Sequence, residues 1–219
     1  CVHECAHDLV LPGSDNNKLA ACFFNLPILV PFAIAFREPH RRHHAKLHSH
    51  EDMDVPTEWE VRTFDSCIGR TVWLSFQIVA YAIRPCLLQP QPWTWWHTAN
   101  LLFQLSVISR ISFLSVTYLL LSVFFAGGLH PTSIHFVCEH LDMKQGRATT
   151  MSYYGAWNCV TMNVGYHVEH HSHPRVAWTR LPSLRRPGTP CHEGHPWQLL
   201  CRFVTTPGAL ASRRVRMLE

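Results

Sequence analysis

The apolar residues of this chain are gathered into blocks, and the blocks predict helices. Residues 19–36, LAACFFNLPILVPFAIAF, carry no charge. At about 1.5 Å per residue the run is just long enough to cross a bilayer core. Asn25, Pro27 and Pro31 interrupt it, so a re-entrant or interfacial hairpin competes with a full span. Residues 71–88, TVWLSFQIVAYAIRPCLL, predict a transmembrane helix that nears the interface at Arg84 and Pro85. Residues 111–129, ISFLSVTYLLLSVFFAGGL, are the clearest span, with no charge at all and Arg110 at the outer edge.

The polar stretches between these blocks differ in charge. Residues 37–70 hold six Lys or Arg: Arg37, Arg41, Arg42, Lys46, Arg62 and Arg70. Residues 89–100, QPQPWTWWHTAN, hold none, and Trp93, Trp95 and Trp96 suit an interfacial aromatic belt. The positive-inside rule then puts 37–70 in the cytosol and 89–100 on the far side. Two spans return the chain to the cytosol before His130.

Seventeen of the 219 residues are histidine, and eight of these fall into three clusters at helical spacing. His3 and His7, in HECAH, are four residues apart. His40, His43 and His44 form H-x-x-H-H in PHRRHH, and His167, His170 and His171 repeat it in HVEHH. Positions i, i+3 and i+4 share one helix face, so each cluster can aim its imidazoles at one point. All three must then lie on one side of the membrane, which requires 19–36 to enter and leave on that side. His140 is the best additional ligand, ahead of His135, while His130 reads as an interfacial helix terminus. His48 and His50 read as solvated or as neighbours of the ligands. The acidic run Glu51, Asp52, Asp54 either hydrogen-bonds ligand imidazoles and fixes their tautomers or forms a solvated turn. Pro39 suits a helix's first turn, and Asn163, four residues before His167, is placed to support a ligand. His192 and His195 have no partners at helical spacing and read as surface residues.

The fold class expected is all-α: an integral membrane helical protein with a cytosolic His-rich di-metal helical cap. HECAH also satisfies H-E-x-x-H, the zinc-protease pattern, but a zincin does not need two H-x-x-H-H clusters. Eight or nine neutral imidazoles exceed what one four-coordinate zinc uses and suit two metal ions. Nitrogen ligands with open positions are compatible with iron that binds oxygen. A site at the cytosolic ends of membrane helices faces soluble electron donors on one side and acyl chains on the other. The natural reaction is oxidation of an unactivated C–H bond. Removal of two hydrogens gives an alkene, and insertion of one oxygen gives an alcohol.

Composition fits this picture. Charged residues are 16% of the chain and the net charge is +4. Arg175, Arg180, Arg185, Arg186, Arg202, Arg213, Arg214 and Arg216 crowd the C-terminal part. No nucleic-acid motif accompanies them, so a cytosolic membrane face suits them better. Nine cysteines with no CxxC pair are not a disulfide framework. The chain opens on Cys1, close to the first cluster, and reads as a fragment of a longer protein.

The three clusters resemble the histidine boxes of the membrane fatty-acid desaturase and hydroxylase superfamily. The stretches MDVPTEWE, GLHPTSIHFVCEH, SYYGAWN and NVGYHVEHH are similar to those of the sphingolipid Δ4-desaturases. The similarity runs over 1–185, the expected desaturase domain, and leaves 186–219 as a basic C-terminal tail. It implies two iron ions held by His3, His7, His40, His43, His44, His140, His167, His170 and His171. It further implies O2 as co-substrate, electrons from cytochrome b5 and its NADH-dependent reductase, and a multi-pass place in the endoplasmic reticulum membrane. The implied reaction gives a trans double bond in the sphingoid base of dihydroceramide, yielding ceramide. The family's N-terminal region and first two membrane helices are absent from the chain. Asp8 and Val168 stand where the family usually has Asn, Pro39 where it has an aromatic, and one extra residue separates His140 from His167. Two further readings are an acyl-lipid desaturase or sphingolipid C4-hydroxylase on the same scaffold, and a non-catalytic zinc-binding membrane protein.

Overall fold

The computed structural model describes residues 1–49, 51–144, 146 and 148–213. It is mostly helical. Among the described residues ten α-helices follow in chain order: α1 (Val2–Ala6), α2 (Ser14–Phe24), α3 (Phe32–Ala45), α4 (Glu58–Phe64), α5 (Cys67–Leu88), α6 (Trp95–Ile108), α7 (Phe113–Ala126), α8 (Ile134–Cys138), α9 (His167–Ser172) and α10 (Pro196–Thr205). One short parallel pair, β1 (Ser152–Tyr153) and β2 (Cys191–His192), ties the segment before α9 to the C-terminal part.

The interrupted apolar run at 19–36 does not form a straight span. The helices on either side of the break meet at 114°. Asn25, fully buried, makes the corner: its Oδ1 accepts from the Ala33 amide at 2.8 Å and its Nδ2 donates to the Val30 carbonyl at 2.6 Å. The bend returns α3 against α1 and α2. Pro39 lies inside α3 rather than in its first turn, because the apolar residues before it already continue the helix. Lacking an N–H, it leaves the Ala35 carbonyl without its usual intrahelical donor.

Among the described residues, α5 is the one unbroken helix long and apolar enough to cross a membrane; α7 passes only together with the bent Pro131–Cys138 segment. The two faces of α5 differ sharply. Ile68, Val72, Phe76, Val79, Ile83 and Leu87 point outward and are exposed, whereas Arg70, Trp73, Leu74, Gln77 and Arg84 are buried. Arg70 donates to the Val204 carbonyl and to Asp65. Arg84 pairs with Glu60 at 2.5 Å and donates to the Met53 carbonyl. Glu60 also closes the capping box of α4 with Thr57 and accepts from the Trp73 indole at 3.0 Å.

This arrangement corrects the expected placement of 89–100 across the membrane from 37–70. Arg42 donates to the Gln89 side chain at 2.5 Å, and Gln89 donates to the Glu51 carbonyl at 3.4 Å. Both ends of α5 therefore touch the polar cap, and its buried arginines are the reason. The supposed far-side loop is also shorter than expected, because α6 begins at Trp95. Trp96 packs beside Cys5, Ala21 and Cys22.

The main core joins α5, α8 and α10: Trp73 and Leu74 meet Val137, Cys138 and Leu141, and Leu199, Leu200, Phe203 and Leu210 close over them. The described part of the basic C-terminal segment thus supplies core residues. Arg213 is buried beside the Trp73 ring rather than on a membrane-facing surface, while Arg214 and Arg216 lie outside the described residues. His192 is also buried, against the surface reading, because its Nε2 bonds the Cys138 carbonyl at 2.8 Å. His195 is exposed and caps α10.

Candidate metal centre

The nine sequence-selected imidazoles fall into two groups. His3, His7, His40, His44 and His170 form one, and His43, His140, His167 and His171 form the other. Within each group one ring nitrogen per residue lies within 4.8 Å of all the others.

The clusters do not each serve one point; each triplet divides. Successive helical residues turn by about 100°, so i and i+4 differ by about 40° while i+3 falls about 60° to the other side. His3/His7, His40/His44 and His167/His171 are all i, i+4 pairs, and each pair stays within one group. The i+3 residues, His43 and His170, cross to the opposite group. α3 and α9 each feed both groups, α1 feeds only the first, and His140 reaches the second from the turn after α8.

The nitrogens approach closely. His7 Nε2 lies 2.9 Å from His40 Nε2, which lies 3.2 Å from His44 Nε2, which lies 3.0 Å from His170 Nε2. In the second group His140 Nε2 lies 3.0 Å from His43 Nε2 and 2.9 Å from His167 Nε2. A single N–H cannot serve two such neighbours at once. Ligand nitrogens about 2.1 Å from an ion and about 90° apart lie about 3.0 Å from each other, whereas tetrahedral geometry gives about 3.4 Å. The residues present therefore fit a metal ion at each group.

Electrostatics keeps most of these rings neutral. Burial, reinforced by neighbouring imidazoles, pulls His7 down to about 2 and His44 down to about 3. The same causes lower His40, His140, His167, His170 and His171. His43 is the exception: burial pulls it down, but Asp54, Asp52 and Glu139 beside it hold it above the usual value.

A carboxylate sets the tautomer of His43 in the second group. His43 Nδ1 hydrogen-bonds Asp52 at 2.8 Å, and the Glu139 carboxyl lies 3.1 Å from His167 Nδ1. The bond to Asp52 turns the His43 Nε2 lone pair toward the group. Asp52 is fixed in turn by the His48 and Asp54 amides. In the acidic run, then, Asp52 serves a ligand, Asp54 stands 3.5 Å from His43, and Glu51 pairs with Lys46 at the surface. Glu139 was not selected from the sequence; its place immediately before His140 was the available signal. Asp8, noted only as a departure, is gripped by Arg37 and Arg41 at 2.6–2.7 Å, which clamps α1 onto α3.

Other expected residues lie apart. Asn163 is not on α9; it sits in a turn at φ 57° and donates to the Trp178 carbonyl. His135 stands by Glu139, and exposed His130 bonds Thr132. His48 packs beside His140 with ring centroids 5.5 Å apart and joins neither group; His50 lies outside the described residues. The zinc-protease pattern fails on geometry, because the Glu4 carboxyl is taken up by His3 Nδ1 and the Trp178 amide.

The fatty acid desaturase family profile matches residues 1–198. A sphingolipid delta(4)-desaturase of Drosophila melanogaster is 34% identical, the alignment covering 98% of this chain and 70% of that protein. Proteins of the same name from Candida albicans and Homo sapiens are 38% and 34% identical, each over 84% of this chain. The chain spans 56% and 59% of their respective lengths. No solved structure matches. On its motifs, its paired imidazole groups and these relatives, the chain belongs to the fatty acid desaturase family, in its sphingolipid delta(4)-desaturase branch.

Proposed function

We propose that the protein desaturates the sphingoid base of dihydroceramide at the Δ4 position, giving ceramide. The overall balance is one dihydroceramide, one O2, two electrons and two protons going to one ceramide and two waters. Electrons would come from NADH through cytochrome b5 and its reductase. The observation that carries the reading is the division of nine imidazoles into two adjoining groups, in a chain whose relatives bear the delta(4)-desaturase name.

His3, His7, His40, His44 and His170 would hold one iron, and His43, His140, His167 and His171 the other. Bound iron supplies the activation of O2 and the oxidising power needed to take hydrogen from an unactivated chain. The protein's own residues do the rest. Asp52 keeps a proton on His43 Nδ1, so that its inward nitrogen stays unprotonated, and the Glu139 carboxyl stands beside His167 Nδ1. Asp8, Arg37 and Arg41 hold α1 in register with α3. Burial of the imidazoles excludes bulk water.

The proposed location is the endoplasmic reticulum membrane, crossed more than once, with the histidine boxes facing the cytosol. α5 would lie along the interface, its exposed apolar face in lipid and its arginine-bearing face on the cap, as an amphipathic helix does.

The test uses the full-length protein, purified in detergent and reconstituted with cytochrome b5, its reductase, NADH and dihydroceramide. About two irons per chain and an O2-dependent trans-Δ4 product are expected, and His170→Ala should lower both. One zinc per chain with no lipid oxidation would defeat the proposal. A 4-hydroxylated product in place of the alkene would identify the hydroxylase instead.

A further inference from the structure

The stretch that follows α9 is basic without any counter-charge of its own. From Ser172 to Pro190 it holds Arg175, Arg180, Arg185 and Arg186 and no Asp or Glu. All four arginines are exposed, and among the described residues none of them forms an ion pair. Elsewhere on the cap exposed cations are neutralised locally: Lys46 pairs with Glu51, Arg62 with Glu58 and Lys144 with Glu193. A run of tight turns keeps the stretch compact, the amides of Val176, Arg180, Ser183 and Thr189 each donating to the carbonyl three residues earlier.

This stretch is fastened over the imidazoles at two points. The Trp178 amide donates to the Glu4 carboxyl, next to His3, at 3.2 Å. The Arg185 guanidinium lies 4.0 Å from the centre of the Tyr154 ring, a cation–π contact. The Tyr154 hydroxyl in turn donates at 2.5 Å to Glu169, which stands between His167 and His170 on α9. The arginines are thus one or two side chains away from residues of both imidazole groups. Nor does the stretch look toward lipid. α5, α6 and α7 each expose several large apolar side chains, whereas between Met162 and Trp197 no described residue does. An element lying in a membrane interface presents apolar side chains together with its cations. Here the cations stand alone, and uncompensated charge on a water-facing surface is the complement of an acidic protein.

We propose that Arg175, Arg180 and Arg186 form the docking surface for an acidic electron-carrier protein, with Arg185 holding the stretch onto Tyr154. This rests on the function proposed above and locates where the two electrons of each turnover enter. Each docking event passes one electron: the carrier's ferrous haem becomes ferric, and one ferric iron of the centre becomes ferrous. Complexes of this kind are small and short-lived. Their charges act on the rate of encounter more than on affinity.

Stopped-flow mixing of the reduced, soluble haem domain of cytochrome b5 with the full-length, iron-loaded protein in detergent follows haem oxidation. The second-order rate should fall at least about tenfold between about 50 mM and about 500 mM salt. Arg175→Glu combined with Arg180→Glu should slow it at least about tenfold at low salt and flatten the salt dependence. Iron content and the rate of reduction by dithionite should not change. Lys46→Glu with Arg62→Glu, the same change in net charge, should keep the wild-type rate. Arg186→Glu alone should also slow the reaction, and it decides the matter if the double variant loses iron. Arginine variants that keep the wild-type rate, or slow no more than the Lys46 and Arg62 pair, overturn the assignment. So does an unchanged rate accompanied by lost binding to phosphatidylserine vesicles, which would make the surface a membrane contact. Dithionite-reduced wild type that converts no dihydroceramide on exposure to O2 would sink the proposed function. Conversion by that protein, with haem oxidation indifferent to the arginines, would sink this inference alone.

Discussion

At the scale of single residues, the arithmetic of the helix decides which imidazole goes where. The i, i+4 pairs stay together and the i+3 residue crosses over. The histidine spacing was plain in the sequence, and so was the candidacy of all nine rings. Their division was not, because spacing gives angles within a helix and says nothing of where α3 and α9 face each other. Asp52 was legible as part of an acidic run close to a box, but only the fold separates it from Glu51 and Asp54. Glu139 belongs to a different segment from the imidazole it serves, and no local pattern joins the two. Because Asp52 and Glu139 both address the four-imidazole group, their loss should act on one metal and spare the other. Asp52→Asn and Glu139→Gln are expected to weaken that metal by about ten- to a hundredfold. Titrating a chelator against the loaded protein should then show one iron leaving early and the second near its wild-type concentration. Loss of both irons together would show that the two groups do not act separately.

At the scale of elements, tertiary contacts overrode the reading by hydropathy. α5 is visible in the sequence as an apolar run, yet it is tied down by Arg70, which reads as part of the basic 37–70 stretch, and by Arg84, which reads as an approach to an interface. These two arginines on one face hold it against the cap. The first turns of α6 fall in the stretch read as a loop, 89–100, because Pro90 and Pro92 precede it and tryptophans open it, a composition that fits an aromatic belt equally well. Asn25, by contrast, marked its corner openly: a buried amide in an apolar run must find partners, and it bends the chain to do so. The Arg84–Glu60 pair, buried on both sides, ties α5 to α4. Arg84→Met should leave Glu60 charged and unpaired, at a cost of about 3–5 kcal/mol. Thermal unfolding should show a clearly lower Tm, and the Trp73 indole, bonded to Glu60, should change its fluorescence. Adding Glu60→Gln should recover part of the loss.

At the scale of the whole molecule, the neutral imidazole pair of groups imposes a pH dependence. His7 and His44 are held far below the ordinary histidine value by burial and by their neighbours. In the unfolded chain they titrate near about 6.5. Above that pH both states are neutral and folding pays no proton penalty. As the pH falls through about 6.5 the unfolded state takes up protons that the folded state refuses, and stability declines until the folded values of about 2 to 3 are reached. Iron-free protein should therefore melt at steadily lower temperature from pH 7 to pH 5. His43, held up by its carboxylates, opposes this trend and makes it shallower. A melting temperature that is flat or rising over that interval would contradict the burial of the rings.

The core that joins α5, α8 and α10 also fixes an order of events. His140 leaves the end of α8, and α8 is covered by Leu199, Leu200, Phe203 and Leu210. Synthesis runs from the N-terminus, so every histidine of the centre emerges from the ribosome before the residues that seat His140. The four-imidazole group cannot take its final form until translation has passed Leu210, and a metal held there would be bound only after that point.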